Sequence, residues 1–589
     1  MAAVLGILGV DTGYHPAAAV IVDGALVAFA EEDRFTGTKS GIVPFPSRAV
    51  TYCLQTAGLS PGDLDLLAYG WDCERYRWEM PARMAWQFWK NRRARRSKTP
   101  HLSPMVGQDS WLRGATFLAV HRPGWVQHRI VQGFRRLGYS DPLPPVRFFP
   151  HHRCHAATAF FCSGRAEAAV LIMDGSGEEV ATTGWLGRGT ELKRLWSLDL
   201  PNSLGWFYSA VTEYLGFQHS RHEGKTMGLA AYGRPIDEVR RTVENILRIR
   251  ADGSHDLDPS WGKFGRCSLG EHFSDRMVER FGAPRGPDDP IEQHHKDLAW
   301  AAQNRLEEAV VALVGKLTRE TGLRDLCMAG GVSMNCKMNG VVARSEHVDS
   351  LFVQPAADDS GAALGAALLG AMELGDDPRF TQRRTDFGPE ICSNAAKEVL
   401  DESGMRYSEP ADLPAEVARL IANGKVVGWA QGRLETGARA LGQRSILALP
   451  TDSAMADHVN LSVKRREVWR PYAPSMTSQG SVQMFGQNRR HRFMLVAEEV
   501  TEDIAAALPS VVHVDRSVRP QVVDPEQNPG YHALLEELGR ETGYEVVLNT
   551  SFNIRGKPIV LGPREALATF ASTGLDALAL GPFLAVKKS

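Results

Sequence analysis

Three apolar stretches alternate with polar turns in the first forty residues: VLGILGVDTG, AAAVIVDG and ALVAFAEED. Asp23-Gly24 separates the last two, the dipeptide favoured where a two-residue hairpin turn needs positive φ at both central positions. The pattern returns from residue 168 onward as AAVLIMDGSG, TGWLGRG and ELKRLWSLDL. Each copy predicts a strand ending in Asp-x-Gly or Asp-Gly-x-Gly, a turn and a returning strand. Two readings stand side by side. The chain carries a duplicated α/β unit whose paired turns aim backbone N–H groups at phosphates, or two unrelated hairpins share a pattern.

Farther along, residues 296–320 repeat apolar positions at helical spacing and predict a long amphipathic helix. LCMAGGVSMNCKMNG reads as a short strand, Gly330-Gly331 and a helix start, which lets backbone approach a ligand closely under helix N–H groups. SLFVQPAADDSGAALGAAL is a further strand leading to Asp358-Asp359-Ser360-Gly361 and a small-residue helix. The polar stretch 376–388 reads as a linker between a first domain, 1–375, and a second α/β domain, 389–589. Residues 71–147 break the pattern: Trp71, Trp78, Trp86 and Trp89 interleave with a basic run from Lys90 to Lys98. Such interleaving can contact nucleic acid; an inserted helical lid with its tryptophans turned inward and its arginines in water is the preferred alternative.

Composition supports that preference. A net charge of −2 over 589 residues argues against a protein that coats nucleic acid or an anionic membrane. The length exceeds one core and predicts two large domains. The eight cysteines form no CxxC pair, which points to free thiols in a reducing, cytoplasmic compartment. The apolar N-terminus has no basic leader and carries Asp11, so it reads as a buried strand. No run approaches the ~20 apolar residues of a membrane span.

Candidate chemistry begins at PHHRCHAATAF, where His151 and His155 precede a strand-like apolar run. On a helix, i and i+4 share one face, and His152 points elsewhere. Asp174 closes the next predicted strand, and Asp359 a later one. Two imidazoles and two carboxylates suit Fe(II), Mn(II) or Zn(II); without HExxH the chain lacks the general base of a zinc peptidase. A polar helix start with no metal remains the alternative. In the second domain, GRLETGARALGQRSILALP and VKRREVWRPYAPS place Arg433, Arg439, Arg444, Lys464 and Arg470 among Gly, Pro and apolar residues. DRSVRPQVV adds Arg519, and EVVLNTSFNIRGKPIV adds Asn549, Ser551 and Asn553. Buried guanidinium groups need anions, and their forks fit phosphate oxygens. This predicts a site for a polyanionic small molecule, not of the P-loop type because GxxxxGK[ST] is missing.

His-x3-His, a strand-ending Asp, Gly-Gly-Val-x2-Asn and Asp-x-Gly, in that order, resemble the actin-like family that completes threonylcarbamoyl-adenosine on tRNA. With AEEDRFTGTKSG (30–41), SLGWFYSAVTEYLGF (203–217) and EGKTMGLAAYG (223–233), the chain resembles the NodU/CmcH family of O-carbamoyltransferases more closely. The likeness spans nearly everything except the tryptophan-rich insert. It implies an α/β protein with a duplicated actin-like (ASKHA) N-terminal domain and a YrdC-like α/β C-terminal domain. By resemblance His151, His155, Asp174 and Asp359 hold iron, and Gly330, Gly331 and Asn335 hold the AMP part of carbamoyl-adenylate. Lys39, Arg439, Arg470, Arg519, Asn549 and Ser551 fall on positions that bind ATP, with its Mg²⁺, and carbamoyl phosphate. The acceptor is then a hydroxyl-bearing small molecule of specialised metabolism, with tRNA as the alternative; the oligomeric state stays unread. The family's base is a histidine ten positions before the hairpin glycine. Counted from Gly24 that place is Tyr14, and His15 stands one later; a one-residue deletion makes His15 the base.

Overall fold

The computed structural model describes residues 2–12, 15–39, 41–82, 117–140, 142–262 and 272–587. The opening stretches form an antiparallel meander, β1 (Ala3–Leu8), β2 (Ala17–Val22) and β3 (Ala25–Glu31). Asp23 at φ 50° and Gly24 at φ 75° turn the chain between β2 and β3, the left-handed pair that Asp-Gly favours. β4 (Leu66–Tyr69) and β5 (Val146–Phe148) add by parallel pairing, giving a sheet ordered β3-β2-β1-β4-β5. Every residue of β1 is buried, because both faces of the sheet are covered; the strand therefore reads as continuously apolar.

The second hairpin builds the same object. β6 (Glu167–Gly177), β7 (Val180–Arg188) and β8 (Glu191–Asp199) form a meander. After a small ribbon of β9 (Leu247–Ile249) and β10 (His255–Leu257), β11 (Asp325–Ala329) and β12 (Ser350–Val353) join in parallel. The order is β12-β11-β6-β7-β8. Counted outward from β1 and from β6, order and strand directions are identical. The hairpins are two copies of one unit, in the duplicated actin-like arrangement, and the reading as unrelated hairpins falls.

Small residues let the layers approach. A Cβ on Gly6 would stand 2.0 Å from the Ala363 carbonyl oxygen, one on Gly70 2.7 Å from that of Ala362, and one on Gly365 2.1 Å from that of Cys154. The helix Ser360–Glu373 is thus pressed between the first sheet and the helix His151–Phe161. The run after His155 that reads as strand-like is the body of that second helix. It is buried on all sides from Cys154 to Phe161, which erases the one-sided periodicity of a surface helix. Residues 293–321 form the expected long helix.

In the insert, Trp71 is buried whereas Trp78 is 84% exposed, so the inward-turned reading holds for one and not the other. Trp86, Trp89 and the basic run 90–98 lie outside the described residues. The helix Pro123–Arg136 brings Val126, Ile130 and Phe134 onto the first sheet's core.

The C-terminal part is a mixed eight-stranded sheet. Its strands are β13 (Tyr407–Ser408), β14 (Val427–Ala430), β15 (Arg444–Ala448), β16 (Ala473–Met476), β19 (Gln521–Val522), β20 (Val546–Ser551), β21 (Ala577–Leu580) and β22 (Phe583–Val586). They run in the order β13-β22-β21-β14-β15-β20-β16-β19, with a separate ribbon of β17 (Glu498–Glu499) and β18 (Ser517–Val518). Among the described residues, no helix is long and apolar enough to cross a membrane.

Candidate metal centre and anion basin

His151 and His155 stand one turn apart at the start of their helix, Asp174 near the end of β6, and Asp359 at the N-terminus of the helix that follows it. These elements converge so that the four offer ligand atoms within 4.8 Å of one another. The Nε2 atoms of His151 and His155 are 3.1 Å apart, each lies 3.2 Å from Asp174 Oδ2, and His151 Nε2 is 3.4 Å from Asp359 Oδ1. Ligands around one ion at about 2.0–2.2 Å stand about 3 Å apart, so these edges fit a single cation.

The surroundings set the tautomer. His151 Nδ1 is 3.2 Å from the Gly70 carbonyl; an N–H donated there leaves the Nε2 lone pair facing the centre, as ligation requires. Four electron-rich atoms then converge in a buried space, which demands a proton or a metal ion between them. Burial opposes charge on His151, yet Asp174 and Asp359 hold its pKa well above the imidazole range. Burial likewise opposes ionisation of Asp174, and the two histidines hold it well below the carboxylate range. Asp174 Oδ1 also accepts from the N–H groups of Gly175, at 2.7 Å, and Gly331, at 3.3 Å. His152 lies apart, 3.0 Å from Thr183 Oγ1, and burial lowers its pKa to about 3.

One second layer escaped the sequence reading. Glu178, at φ 52° in the β6–β7 turn, accepts from the backbone N–H of His151 at 3.1 Å and of Asp72 at 2.8 Å. It fixes the start of the ligand helix, and its sole trace in the sequence is an acidic residue after Asp-Gly-Ser-Gly. Beside it, a Cβ on Gly177 would fall 2.7 Å from the Cδ2 atoms of both His151 and His152. Gly177→Ala should therefore weaken metal binding about 10–100-fold, the range for disturbing the groups that orient metal ligands, as read by competition with a chelator.

His15 stands 3.2 Å from Asp358 Oδ2 through its Nδ1. Burial opposes its charge, but Asp358, then Asp359 and Glu31, raise its pKa to about 10. Tyr14 lies outside the described residues.

The cationic residues of the C-terminal part divide into two groups. Arg433 donates to the carbonyls of Gly388, Phe387 and Val27. Arg444, fully buried, donates to those of Gln431, Gln443, Pro389 and Gly432. Lys464 is bound by the carbonyls of Ser551 at 2.7 Å and Asn553 at 3.0 Å. These three hold the fold together. Arg439, Arg470 and Arg519 instead gather in a partly buried basin. Burial and then Arg519 and Arg470 lower Arg439 to about 9; burial and Arg466 lead in lowering Arg470 to about 10, and Arg519 is lowered too. Lys39 borders the basin: burial, Arg34, Arg470 and Arg439 lower its pKa. Like charges gathered in this way offer a candidate place for an anion. Asn549 lies beneath it, fully buried, its amide donating to Ser475 Oγ at 2.8 Å and to the Ala440 carbonyl at 3.2 Å. It supports the loop that carries Arg439. Ser551 Oγ donates to Asn553 Oδ1 at 2.7 Å.

The loop after β11 joins the two places. Gly330 sits at φ 90°, where a Cβ would reach 2.2 Å from the Met173 carbonyl oxygen, so only glycine fits. Asn335 caps the helix Cys336–Ala343 through the Met338 N–H, and its amide pairs with Gln303. Between them, the Met334 carbonyl accepts from Arg439 at 3.3 Å. Past Asn335, Gln303, Glu307, Lys337, Arg344 and Asp515 border a cavity of about 260 Å³ between the two parts.

Two stretches of the chain match known families. A family described as carbamoyltransferase N-terminus matches residues 6–368, and one described as carbamoyltransferase C-terminus matches 418–587. An uncharacterised protein of Synechocystis sp. is 35% identical, the match covering 99% of this chain and 96% of that one. Nodulation protein NolNO of Sinorhizobium fredii is 33% identical over 98% of this chain and 80% of its own. The 3'-hydroxymethylcephem-O-carbamoyltransferase of Amycolatopsis lactamdurans is 32% identical over 61% and 64%.

Proposed function

The chain belongs to the carbamoyltransferase family, and from that membership we propose that it makes carbamoyl-adenylate in the arginine basin and spends it at the metal centre. The observation that carries this reading is the loop 330–337, whose Gly331 N–H bonds Asp174 while its Met334 carbonyl bonds Arg439. One short segment touches both places, so an intermediate has little distance to travel.

Carbamate alone acylates poorly, since its carbonyl is electron-rich and its leaving group is oxide or hydroxide. In the basin, water cleaves carbamoyl phosphate to carbamate and phosphate. A carbamate oxygen then attacks the α-phosphorus of ATP, and pyrophosphate leaves. Arg439, Arg470, Arg519 and Lys39, with Mg²⁺ on the ATP, neutralise the developing charge. Asn549 acts at one remove by holding Ala440, and Ser551 lines the same wall. In the second stage an acceptor hydroxyl attacks the carbamoyl carbon and AMP departs. Gly330, Gly331 and Asn335 hold the AMP part, with the nucleoside directed toward the cavity behind Asn335. His151, His155, Asp174 and Asp359 fit a divalent ion, Fe(II) in this reading, which when bound supplies Lewis-acid stabilisation of the reacting carbonyl. With positive charge beside Asp359, His15 gives up its proton more readily and can take that of the hydroxyl. The acceptor in this reading is a hydroxyl-bearing small molecule, as the cephem enzyme's name says of that relative.

The test is incubation of the purified, metal-replete protein with ATP, Mg²⁺ and carbamoyl phosphate, without acceptor. Pyrophosphate should form only when carbamoyl phosphate is present. Its formation with threonine and bicarbonate instead would move the reading to threonylcarbamoyl transfer, and none with either would overturn adenylation.

A further inference from the structure

A second group of ligand-type side chains stands outside the machinery just described. Glu213 lies in the last turn of the helix Leu204–Tyr214, His219 in the turn that follows, and His272 at the start of the segment leading to the helix Asp275–Phe281. The three offer ligand atoms within 4.8 Å of one another. Glu213 Oε2 accepts from the backbone N–H of His272 at 2.7 Å and lies 2.9 Å from its ring Nδ1. The His219 ring packs on that of His272, centroids 4.2 Å apart, and Trp206 covers another side of His272 at 4.9 Å and 12°. The His272 side chain is fully enclosed, and its Nε2 meets no partner among the described residues.

We propose that Glu213, His219 and His272 form a second cation site, distinct from the His151–Asp359 centre and suited to Zn²⁺ or another late first-row divalent ion. Two imidazole nitrogens and one carboxylate oxygen are borderline donors that select such ions over Mg²⁺ or Ca²⁺. The 2.9 Å edge between Glu213 Oε2 and His272 Nδ1 matches ligands about 2.0–2.2 Å from a shared ion. A cluster held by protons alone is less well matched. The carboxylate can serve one ring, while two protonated rings in contact would repel. Glu213 remains 20% exposed, so the open coordination position faces solvent.

A cation there does more than tie three segments. Trp206, stacked on His272, brings its indole Nε1 to 3.7 Å from where a Cβ on Gly175 would stand. Gly175 follows the ligand Asp174. The second site therefore braces the wall beside the first, on the face where the helix cap Ser203 donates to the Gly175 carbonyl at 2.7 Å.

The experiment counts Zn²⁺ per chain by mass spectrometry after exhaustive chelation, reloading and gel filtration. Wild type should hold two. His219→Ala and Glu213→Gln should each hold one, His155→Ala should hold one, and His155→Ala/His219→Ala none. Melting curves of the chelated proteins confirm that each variant is folded; because His219 sits in a partly exposed turn, its replacement should leave the metal-free transition in place. The proposal is overturned if His219→Ala and Glu213→Gln bind as much Zn²⁺ as wild type. It also fails if folded wild type binds one ion and His155→Ala removes it. Loss of one ion in His219→Ala with none lost in His155→Ala would keep the second site and remove the first.

Discussion

His155→Ala should reduce carbamoyl transfer to the acceptor on the order of 10²–10³-fold or more, the scale for losing one preorganised electrostatic contact in a transition state, while pyrophosphate release stays within about 3-fold of wild type. The asymmetry follows from position. His155 Nε2 faces His151 and Asp174 in a closed cluster; no contact of its side chain reaches the arginine basin among the described residues. Arg439→Ala should do the reverse to the first stage: pyrophosphate release should fall on the order of 10²-fold or more, and preformed carbamoyl-adenylate should still be consumed. Pyrophosphate and AMP are read separately by chromatography. If His155→Ala abolished pyrophosphate release in a folded protein, the two stages would not be separable and the division of labour would collapse. Dialysis against a chelator that strips the metal centre should reproduce the His155→Ala pattern, provided Mg²⁺ is restored for the ATP.

The duplicated hairpin was legible because its signal is local: period-two apolar runs and an Asp-Gly turn need no knowledge of the rest of the chain. His151 and His155 were legible as a pair for the same reason, one helical turn being a sequence distance. Asp174 and Asp359 required an order of motifs, since 185 positions of chain separate them in the sequence while an Nε2 of His151 lies 3.2 and 3.4 Å from them in space. Asp358 and Glu178 were not legible. Each acts through a turn or a tertiary contact, on His15 and on the His151 N–H, that no periodicity encodes. The run AATAFF was misread as strand-like because complete burial removes the polar face by which a helix announces itself. The arginines mark the sharpest limit. Arg439 and Arg444 stand five residues apart in one Gly-rich segment and look equivalent; their surroundings make them opposites.

That contrast has a measurable consequence for stability. Arg444 is fully buried on β15, and its guanidinium serves the carbonyls of Gln431, Gln443, Pro389 and Gly432 at once. Burial lowers its pKa to about 10, with Glu435 and Glu390 opposing the fall; it stays charged at neutral pH because the carbonyls replace water. Arg444→Ala leaves those oxygens buried without their donor and opens space beneath the sheet, so unfolding of the C-terminal part should lose about 3–5 kcal/mol, the cost of breaking a buried charged network. Arg444→Lys should recover little, because one ammonium cannot reproduce a planar fork. Arg439→Ala should cost less than about 1 kcal/mol or raise stability, since it relieves a buried like-charge contact. Burial and the neighbouring guanidinium groups of Arg519 and Arg470 press the Arg439 pKa downward, so the group carries its charge at a cost that an anion would relieve. Denaturant unfolding monitored through the C-terminal part at neutral pH would separate the two variants. Equal losses for Arg444→Ala and Arg439→Ala would mean that both arginines hold the fold, and that the basin is not a prepared anion site.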